Sequence, residues 1–470
     1  MENNKFPSII KVIVVVWILI VVICEVLVFR FQAAHARSDG KNILIVSDPQ
    51  LTDNFSYSFL EANPFGFISR MVYFFSDLYM KKNFLSLLLL NSPNVDAIVF
   101  NGDLMDAGRG QNNKMWIWEY ERYQTVFSQP KGYKAVPTYN VSGNHDIGFG
   151  DRTKNVIDRF KSKFGERLNY EFNVGGVKFL VINSLYLEQI SYRHYEEADR
   201  DVNLYDMNEY RNEALNFINK YVSKDQTNTV LFSHVPLFRE DYQSCGAYQD
   251  SRRTPMRQGR GISYQNLLQK HTSDYILKAI KPKRVFSGDD HENCEYVHKY
   301  DGYESIEVTV GSFSFLQGTV SPSYGMINIK DGDISYRSIF MPRQWYIYLF
   351  YLFCVPITTI LLIIFKIKHH VKTFSNKIEF GEDLEVGTTS TCISPNSLNN
   401  DVLNSRKKLL PLSIDYSQTK REAPHTPKQI TRLLTKDATL LLMDLFKSIL
   451  LVTTTTFVTF VFTLLYWYSI

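Results

Sequence analysis

The chain has 470 residues, of which 45% are apolar and 21% are charged, and its formal net charge is +4. So small a charge, with no basic tail or patch, excludes a chain whose main partner is nucleic acid. The length suits one large domain or two ordinary ones, and the apolar content leaves room for membrane segments.

The first element is an apolar run from Val12 to Phe29, which only Glu25 interrupts. Two readings of this run are open. Lys5 and Lys11 could form the basic start of a secretory signal peptide, with the sequence AHA at residues 34–36 as its cleavage site. The glutamate, and the distance of AHA from the most apolar part, favour an uncleaved membrane anchor.

Residues 41–343 have the composition of a soluble domain. Short apolar runs predict six β-strands, separated by longer helix-like stretches such as Tyr73–Leu90 and Glu209–Val222. These runs are NILIVS, DAIVFN, VPTYNVS, KFLVIN, NTVLFSH and KRVFSG. Strands that alternate with helices predict an α/β fold built in layers. The later runs SIEVTVGSFSF and YGMINIKDGDISYRSI predict antiparallel strands with a DGD turn.

Side chains of the types that bind metals follow five of these strands directly. They are Asp48 and Gln50 in SDPQ, Asp103 and Asp106 in NGDLMD, Asn144, His145 and Asp146 in SGNHD, His234 in LFSHVP, and Asp289 and His291 in SGDDHE. Taken singly, Gly-Asp and Asn-His-Asp are ordinary turn and capping sequences. Five such sites are hard to explain as independent turns, and loops at one edge of a sheet can converge. The set therefore predicts one metal site.

The order of these motifs resembles that of the calcineurin-like metallophosphoesterases, from about Asn42 to His291. The stretches SDPQL, YFFSDLYMKKNF, GNHDIGFGD, GISYQNLL and SGDDHENCEY resemble the membrane-anchored branch typified by cell division control protein 1 and the post-attachment GPI phosphoesterases. The resemblance implies a layered metallophosphoesterase fold, which is a β-sandwich flanked by helices, with N- and C-terminal transmembrane helices.

The resemblance also implies two divalent metal ions. Asp103 would bridge them; Asp48, Gln50 and His291 would complete the first site, and Asn144, His234 and Asp289 the second. Gln50 and Asp289 stand where the family usually has histidines. Both can still donate an oxygen, and an oxygen-rich site favours hard ions such as Mn²⁺ over Zn²⁺. We therefore expect a variant site that remains active.

Further roles are implied for residues around these ligands. His145 would contact the phosphate and protonate the leaving oxygen, with Asp146 orienting it from behind. Asp106 is expected to brace its loop rather than bind a metal. Arg257 and Arg260, in SRRTPMRQGRG, are candidates to hold further substrate phosphate, although a solvated basic loop is an equally good reading of that stretch.

Two later apolar runs complete the membrane segments. Trp345 to Phe365 has no charged residue, and another run extends from about Ser448 to Ile470. A membrane-spanning helix needs ~20 apolar residues, so both qualify. The sequence KIKHHVK after the second run marks the cytosolic side, because lysines cluster there. The segment between the first two spans therefore faces the lumen or the exterior.

These features divide the chain into five predicted parts. They are a cytosolic tail and anchor at 1–40, a lumenal metallophosphoesterase domain at 41–343, a transmembrane helix at 344–365, a cytosolic loop at 366–438 and a C-terminal transmembrane helix at 439–470. The loop contains GTTSTCISPNSLNN, which has few large apolar residues, so we expect it to be largely disordered.

A lumenal location affects what is expected of two cysteines and of two asparagines in glycosylation sequons. Cys245 and Cys294 are the two cysteines of the lumenal segment, and an oxidising compartment favours a disulfide over two free buried thiols. Asn54, in the sequon NFS, lies in a polar loop and is expected to carry a glycan. Asn140, in the sequon NVS, lies on a predicted strand and is not.

The sequence thus predicts a metal-dependent phosphodiesterase, an integral membrane protein of the endoplasmic reticulum or Golgi with a lumenal catalytic domain. The resemblance implies that it removes ethanolamine phosphate from a mannose of the GPI glycan, which would affect transport of GPI-anchored proteins. GPI-anchored proteins or GPI lipid would be the substrates, and cargo receptors are candidate partners. Two alternatives stay open: a non-catalytic transport or cargo factor, and a lumenal nucleotide pyrophosphatase.

Overall fold

The computed structural model describes residues 8–36, 39–91, 94–149, 154–188, 204–222, 228–248, 256–261, 264–300, 302–319, 321–379 and 427–470. The chain forms two compact units, residues 1–15 with 352–455 and residues 16–351 with 456–470. In the first unit, Nζ of Lys366 pairs with Oδ2 of Asp444 at 2.9 Å. The second unit contains the β-sheets.

The described residues contain thirteen strands: β1 (Lys41–Val46), β2 (Val95–Asn101), β3 (Thr138–Val141), β4 (Tyr170–Val174), β5 (Val177–Val181), β6 (Thr229–Phe232), β7 (Arg260–Gly261), β8 (Tyr264–Gln265), β9 (Arg284–Ser287), β10 (Cys294–Tyr300), β11 (Tyr303–Thr309), β12 (Ser323–Lys330) and β13 (Asp333–Phe340). A five-stranded sheet has the order β13-β12-β1-β2-β3, and a six-stranded sheet has the order β10-β11-β9-β6-β5-β4. The strands β1, β2 and β3 are parallel, as are β5, β6, β9 and β11.

The helices of the described residues are α1 (Ser8–Val22), α2 (Val28–Ala34), α3 (Ser58–Ala62), α4 (Phe67–Asn91), α5 (Asn113–Val126), α6 (Asn144–Ile147), α7 (Lys154–Phe164), α8 (Leu204–Asn219), α9 (Lys270–Ile280), α10 (Gln344–Glu379) and α11 (Pro427–Ser469). A π-helical turn, Ile23–Leu27, joins α1 to α2. Three stretches are long and apolar enough to cross a membrane: Ile9–Ala34, Gln344–Thr373 and Ala438–Ser469.

The two large sheets pack face to face. Alternate residues of a strand point to the same side, so one set from each sheet fills the space between them. Ile43 and Ile45 of β1 and Val99 of β2 lie in one buried cluster with Phe179 of β5 and Phe232 of β6. This cluster is the centre of the sandwich.

Helices cover the outer faces of the sheets. Leu44 of β1 lies in a second buried cluster with Tyr79 and Phe84 of α4. The same cluster contains Leu231 of β6 and Ile276 of α9. The order helix, sheet, sheet, helix confirms the predicted α/β fold, a β-sandwich flanked by helices.

The two C-terminal helices extend beyond the transmembrane segments predicted from the sequence. α10 continues to Glu379 although the apolar run ends at Phe365, and α11 begins at Pro427 rather than at 439. Residues 366–379 contain neither Gly nor Pro, so no residue there stops a helix that has already begun. The predicted disorder of the cytosolic loop concerns residues 380–426, which lie outside the described residues.

Candidate metal centre

The backbone is unusual where the predicted ligands are presented. Asp48 and Gln50 follow β1, Asp103 follows β2, and Asp289 and His291 follow β9. All five have a positive φ, between 32° and 64°, a conformation that only three other non-glycine residues of the described chain adopt. Left-handed backbone is unfavourable for L-residues and is concentrated at functional sites. The fold therefore holds these loops against their local preference in order to aim the side chains.

Two glycines leave room for side chains from neighbouring loops. A Cβ at Gly102 would lie 2.1 Å from Nδ1 of His234, and a Cβ at Gly143 would lie 2.1 Å from Oδ1 of Asp103. Both distances are far below van der Waals contact, and both neighbours are buried. The Gly-Asp and Gly-Asn-His-Asp sequences thus need glycine because another ligand occupies the place of its side chain.

His234 lies at the centre of the cluster. Its Nε2 lies 3.2 Å from Oδ1 of Asp103 and 3.1 Å from Oδ1 of Asn144. The same atom lies 3.8 Å from Oδ1 of Asp289 and 4.0 Å from Oδ1 of Asp48. Four oxygens from four separate loops therefore converge on one imidazole nitrogen.

Two further ligands join through the aspartates. Nε2 of Gln50 donates to Oδ2 of Asp103 at 2.9 Å, and Nε2 of His291 lies 3.9 Å from Oδ1 of Asp48. Contacts of 4.0 Å or less thus link all seven residues that the sequence analysis named as metal ligands. Ligand atoms of Asp48, Asp103 and His234 lie within 4.8 Å of one another, a spacing that can hold a metal ion.

Main-chain carbonyls fix the rings of the three histidines. Nδ1 of His234 donates to the carbonyl of Asn101 at 2.8 Å, Nδ1 of His291 to that of Gln317 at 3.0 Å, and Nδ1 of His145 to that of Asp106. A carbonyl can only accept, so each neutral ring carries its proton on Nδ1 and directs the lone pair of Nε2 into the site. Metal-binding histidines are oriented in this way.

Several acceptor atoms of the site face one another, or face no group at all, without a hydrogen-bond donor. Nε2 of His234 and the carboxylate of Asp103 both accept, so their 3.2 Å contact needs an added cation or proton. Oε1 of Gln50 and Oδ2 of Asp289 are buried and have no hydrogen-bond partner among the described residues. Buried acceptors left unsatisfied cost free energy. One or two divalent cations would satisfy all of them, so the donor set fits the metals that the resemblance implies.

The pKa values of the clustered side chains also favour a bound cation. Burial opposes the charged form of His234, but the carboxylates of Asp103 and Asp48 outweigh it, and the pKa of His234 lies well above its usual range. Burial raises the pKa of Asp289 to about 6; His234 opposes this rise, and Asp103 and Asp48 add to it. The site thus attracts protons, and a divalent ion would displace them.

Asp146 does not orient His145, contrary to the expectation from the sequence. Its carboxylate accepts main-chain N–H groups of Gly143 at 2.9 Å, Leu104 at 3.0 Å and Met105 at 3.3 Å. Asp146 is the third residue of α6, where an acidic side chain turns back to cap the start of its own helix. Its role is to join the Gly-Asn-His-Asp loop to the Gly-Asp loop.

Asp106 takes the place behind His145 that the sequence analysis gave to Asp146. Its carbonyl accepts from Nδ1, and its Oδ1 lies 3.5 Å from the same atom. Its Oδ2 accepts from the hydroxyl of Ser56, so it also braces the loop, as expected. Burial alone would lower the pKa of His145, but Asp103, 4.0 Å from Nε2, raises it above its ordinary value.

Arg109 is a residue of the site that the sequence analysis missed. Its guanidinium donates to the carbonyl of Asn144 at 2.7 Å, and its main-chain N–H donates to the carbonyl of His145 at 2.7 Å. Its charge opposes the rise in the pKa of His145. A local signal for it exists, because Arg109 lies six residues after Asp103 in the same loop.

The two predicted substrate arginines are not placed at the cluster. Arg257 is exposed, and its guanidinium lies 4.6 Å from the ring centre of Tyr242. Within the described part of the chain, no contact links Arg257 to the metal ligands. The backbone of Arg260 belongs to β7, but its side chain lies outside the described residues. Their role toward substrate stays a prediction.

The predicted disulfide and sequons lie near these loops. The structure joins Cys245 to Cys294, which begins β10, three residues after His291. Asn54 is half-buried and its Oδ1 is enclosed, so its glycosylation stays a prediction. Nδ2 of Asn140 is already used as a donor, to the carbonyl of Phe164 at 2.7 Å.

The residues that form this site lie within a match to a known protein family. The sequence model of the family described as calcineurin-like phosphoesterase matches residues 41–293, more than half of the chain. The chain belongs to this family. It therefore carries a phosphoester hydrolase domain of a kind that binds divalent metals, and the candidate site of Asp48, Asp103 and His234 lies inside it.

Several curated proteins are similar to this member of the family. Cell division control protein 1 of Saccharomyces cerevisiae is 28% identical over 301 residues, which cover 62% of this chain and 56% of that protein. Metallophosphoesterase 1 of Ailuropoda melanoleuca is 28% identical over 280 residues, which cover 56% of this chain and 66% of that protein. The matched part thus spans less than two thirds of each relative's length. The names of these relatives are consistent with the branch that the sequence motifs suggested.

Proposed function

We propose that this protein is a membrane-bound, metal-dependent phosphodiesterase that removes ethanolamine phosphate from a mannose of the GPI glycan. The catalytic domain would face the lumen of the endoplasmic reticulum or Golgi, and GPI lipid or GPI-anchored proteins would be its substrates. Two ions are proposed, with Mn²⁺ favoured, because five of the seven ligands offer oxygen.

The observation that carries the enzymatic part is the position of His145, beside the partly exposed His291, at the open side of a cluster whose centre is enclosed. The side chain of His145 is 28% exposed, whereas those of Asp103 and His234 are 1% and 0% exposed. A proton donor that is reachable from solvent and lies 4.0 Å from the central ligand suits catalysis. A fold kept only for binding has no need of this arrangement.

The chain's own groups divide the work. Asp103 and His234 hold the centre of the site, and Gln50, Asn144 and Asp289 supply further oxygens. When bound, divalent ions act as Lewis acids toward phosphoryl oxygens.

Proton transfer falls to His145. Its Nδ1 is fixed on the carbonyl of Asp106, so a second proton can reside only on Nε2, which faces the site. In the metal-free protein, the Asp103 carboxylate raises the pKa of His145 and favours that doubly protonated form. The oxygen of a water molecule would bond to phosphorus as the bond from phosphorus to the mannose oxygen breaks. Nε2 would donate its proton to that mannose oxygen, which leaves a free sugar hydroxyl and whole ethanolamine phosphate.

Two arguments support the GPI substrate. The stretches quoted above resemble the GPI phosphoesterases of the membrane-anchored branch. In addition, a catalytic domain tethered by apolar helices meets a substrate in the same membrane at a high effective concentration. A soluble nucleotide gains nothing from the tether, so the pyrophosphatase reading ranks second.

The test is mass spectrometry of GPI glycans from cells that lack the protein and are complemented with a variant. With His145→Ala we expect anchors that retain an ethanolamine phosphate branch absent with the wild type. His271→Ala, which removes an exposed histidine of α9, is the matched control and should restore wild-type glycans.

The possible results distinguish the GPI assignment from a phosphodiesterase with another substrate and from a non-catalytic factor. Identical glycans with His145→Ala and wild type would overturn the GPI assignment. Mn²⁺-dependent hydrolysis of bis(p-nitrophenyl) phosphate by the purified protein would still support a phosphodiesterase. Absence of that hydrolysis as well would favour the non-catalytic transport factor.

A further inference from the structure

A run of exposed apolar side chains lies between the metal loop after β1 and the body of α4. We call residues 55–71 the aromatic segment; it contains α3 and the first turn of α4. Phe55, Phe59, Phe65, Phe67 and Ile68 are each more than half exposed, and Phe67 reaches 78%. In residues 54–76 only Glu61 and Arg70 are charged. Exposed apolar side chains concentrated in one short segment, as here, indicate an interaction site.

The course of α4 indicates where this segment lies. Nδ2 of Asn91 donates to the carbonyl of Ala33 at 3.0 Å, and Nζ of Lys82 pairs with the carboxylate of Glu25. Lys82 and Asn91 are nine residues apart in α4, and their partners Glu25 and Ala33 are eight residues apart in the first apolar span. The two helices therefore run side by side in the same direction, and lower numbers in α4 lie deeper along the span.

Contacts with α10 give the depth. The hydroxyl of Tyr79 donates to the carbonyl of Pro342 at 2.9 Å, just before the second span begins at Gln344. One turn earlier in α4, the ring of Phe75 lies 6.4 Å from that of Tyr348, which is already inside the span. At 1.5 Å per residue, the start of α4 lies about 12 Å beyond Phe75 along the same course.

We propose that the aromatic segment is embedded in the bilayer leaflet next to the catalytic domain, with lipid acyl chains and headgroups as its partner. The segment has the composition of an interfacial element, with many aromatics and few charges. Trp345 and Tyr346, at the start of the second span, are 56% and 59% exposed, as the residues of an interfacial aromatic belt are. Exposed Phe67 and Ile68 are thereby covered by lipid.

Hydrogen bonds tie the segment to the metal centre. The hydroxyl of Ser56 donates to Asp106, which holds His145. The hydroxyl of Tyr57 donates to the carbonyl of Leu316 at 2.6 Å, beside the residue whose carbonyl fixes His291. Anchoring the segment in lipid would therefore set the opening of the site at headgroup level. This consequence for the substrate rests on the proposed function; the membrane contact itself does not.

Depth-dependent fluorescence quenching tests the contact. The full-length protein, with Cys24, Cys354 and Cys392 replaced by alanine, would receive one cysteine by Ile68→Cys or Phe59→Cys and a nitrobenzoxadiazole label. In phosphatidylcholine vesicles containing doxyl-labelled lipid, we expect at least about half of the emission to be quenched. Val222→Cys, at an exposed apolar position after α8, is the matched control and should be quenched only by an aqueous agent.

A label at residue 68 that behaves like the label at residue 222 would overturn the proposal. The expected glycan at Asn54 competes with it, because a glycan beside Phe55 would hold the segment away from lipid. A glycosidase-sensitive mass shift that Asn54→Gln removes would therefore also overturn it. A second variant, Phe67→Glu with Ile68→Glu, should lower hydrolysis of a vesicle-borne phosphodiester about tenfold or more and leave hydrolysis of bis(p-nitrophenyl) phosphate unchanged. An equal loss on both substrates would contradict a role in membrane contact.

Discussion

Two buried clusters in the same sandwich contain acidic and histidine side chains, and they differ in how their hydrogen bonds are satisfied. In one, Glu307 of β11 accepts from the N–H of Leu237 at 2.9 Å and from the hydroxyl of Ser287 at 2.8 Å. Its other oxygen accepts from Nε2 of His298 at 2.8 Å and lies 3.7 Å from Arg239. Each oxygen of this carboxylate has a donor.

The metal centre is the opposite case. Acceptors face acceptors around His234, Oε1 of Gln50 and Oδ2 of Asp289 have no partner among the described residues, and the backbone is left-handed at five ligands. Composition alone does not separate the two clusters, since both combine carboxylate and imidazole groups. Unsatisfied acceptors, rather than acidic residues as such, therefore identify the cluster that needs a cation.

Replacing Asp103, the ligand proposed to bridge the two ions, should have the strongest effect. Asp103→Asn keeps the shape of the side chain and abolishes its charge, so we expect the loss of bound divalent metal and a fall in hydrolysis of at least about 100-fold. Metal analysis and bis(p-nitrophenyl) phosphate hydrolysis on the purified protein measure both. A variant that retained its full metal content would contradict the bridging role.

The satisfied cluster should fail in a different way. Glu307→Ala leaves Arg239 and His298 buried without their carboxylate, which we expect to cost about 3–5 kcal/mol of the free energy of unfolding and roughly 10 °C in Tm. Thermal unfolding measures the change. Metal content per folded molecule should match the wild type, and a selective loss of metal would show that the two clusters are not independent.

A smaller effect concerns the choice of metal. Asp289→His replaces an oxygen ligand by nitrogen, so the affinity for Zn²⁺ should rise relative to Mn²⁺ by about tenfold. Competition between the two ions, followed by metal analysis, measures the ratio. An unchanged ratio would indicate that Asp289 does not bind the ion.

The smallest effect is a difference in pH dependence. In metal-free protein, burial, reinforced by Asp103, raises the pKa of Asp146 to about 7 and that of Asp289 to about 6. The folded state then binds protons more tightly than the unfolded state, so Tm should fall as the pH rises from about 4 to about 7. Saturating Mn²⁺ should flatten this slope.

Glu307 should have the reverse sign. Burial opposes its charge, but His298 and Arg239 outweigh burial and lower its pKa below the ordinary value of 4.5. Its contribution is therefore complete above that value and is lost as the pH falls through the lowered pKa. Glu307→Gln should weaken the loss of Tm below pH 4.5, and an unchanged acid limb would contradict the assignment.

Sequence alone predicts the strands that lead into the site and the types of ligand that follow them, but not β4, β7, β8 or β10. Both are local: a short apolar run indicates a strand, and the polar residues that follow it belong to the same short stretch. For this reason the order of residues alone assigns Asp48, Asp103, His234 and Asp289 to one site. The same local signals predict the three membrane segments.

The tertiary structure was needed to show which group holds each side chain of the site in place. Asp106 rather than Asp146 holds His145, since the choice depends on how two loops from different strands meet. The contact of Glu307 with Arg239 joins residues 68 positions apart, and α4 lies along the first span through Lys82 and Glu25, 57 positions apart. No local pattern encodes such contacts, because they exist only once the chain has folded.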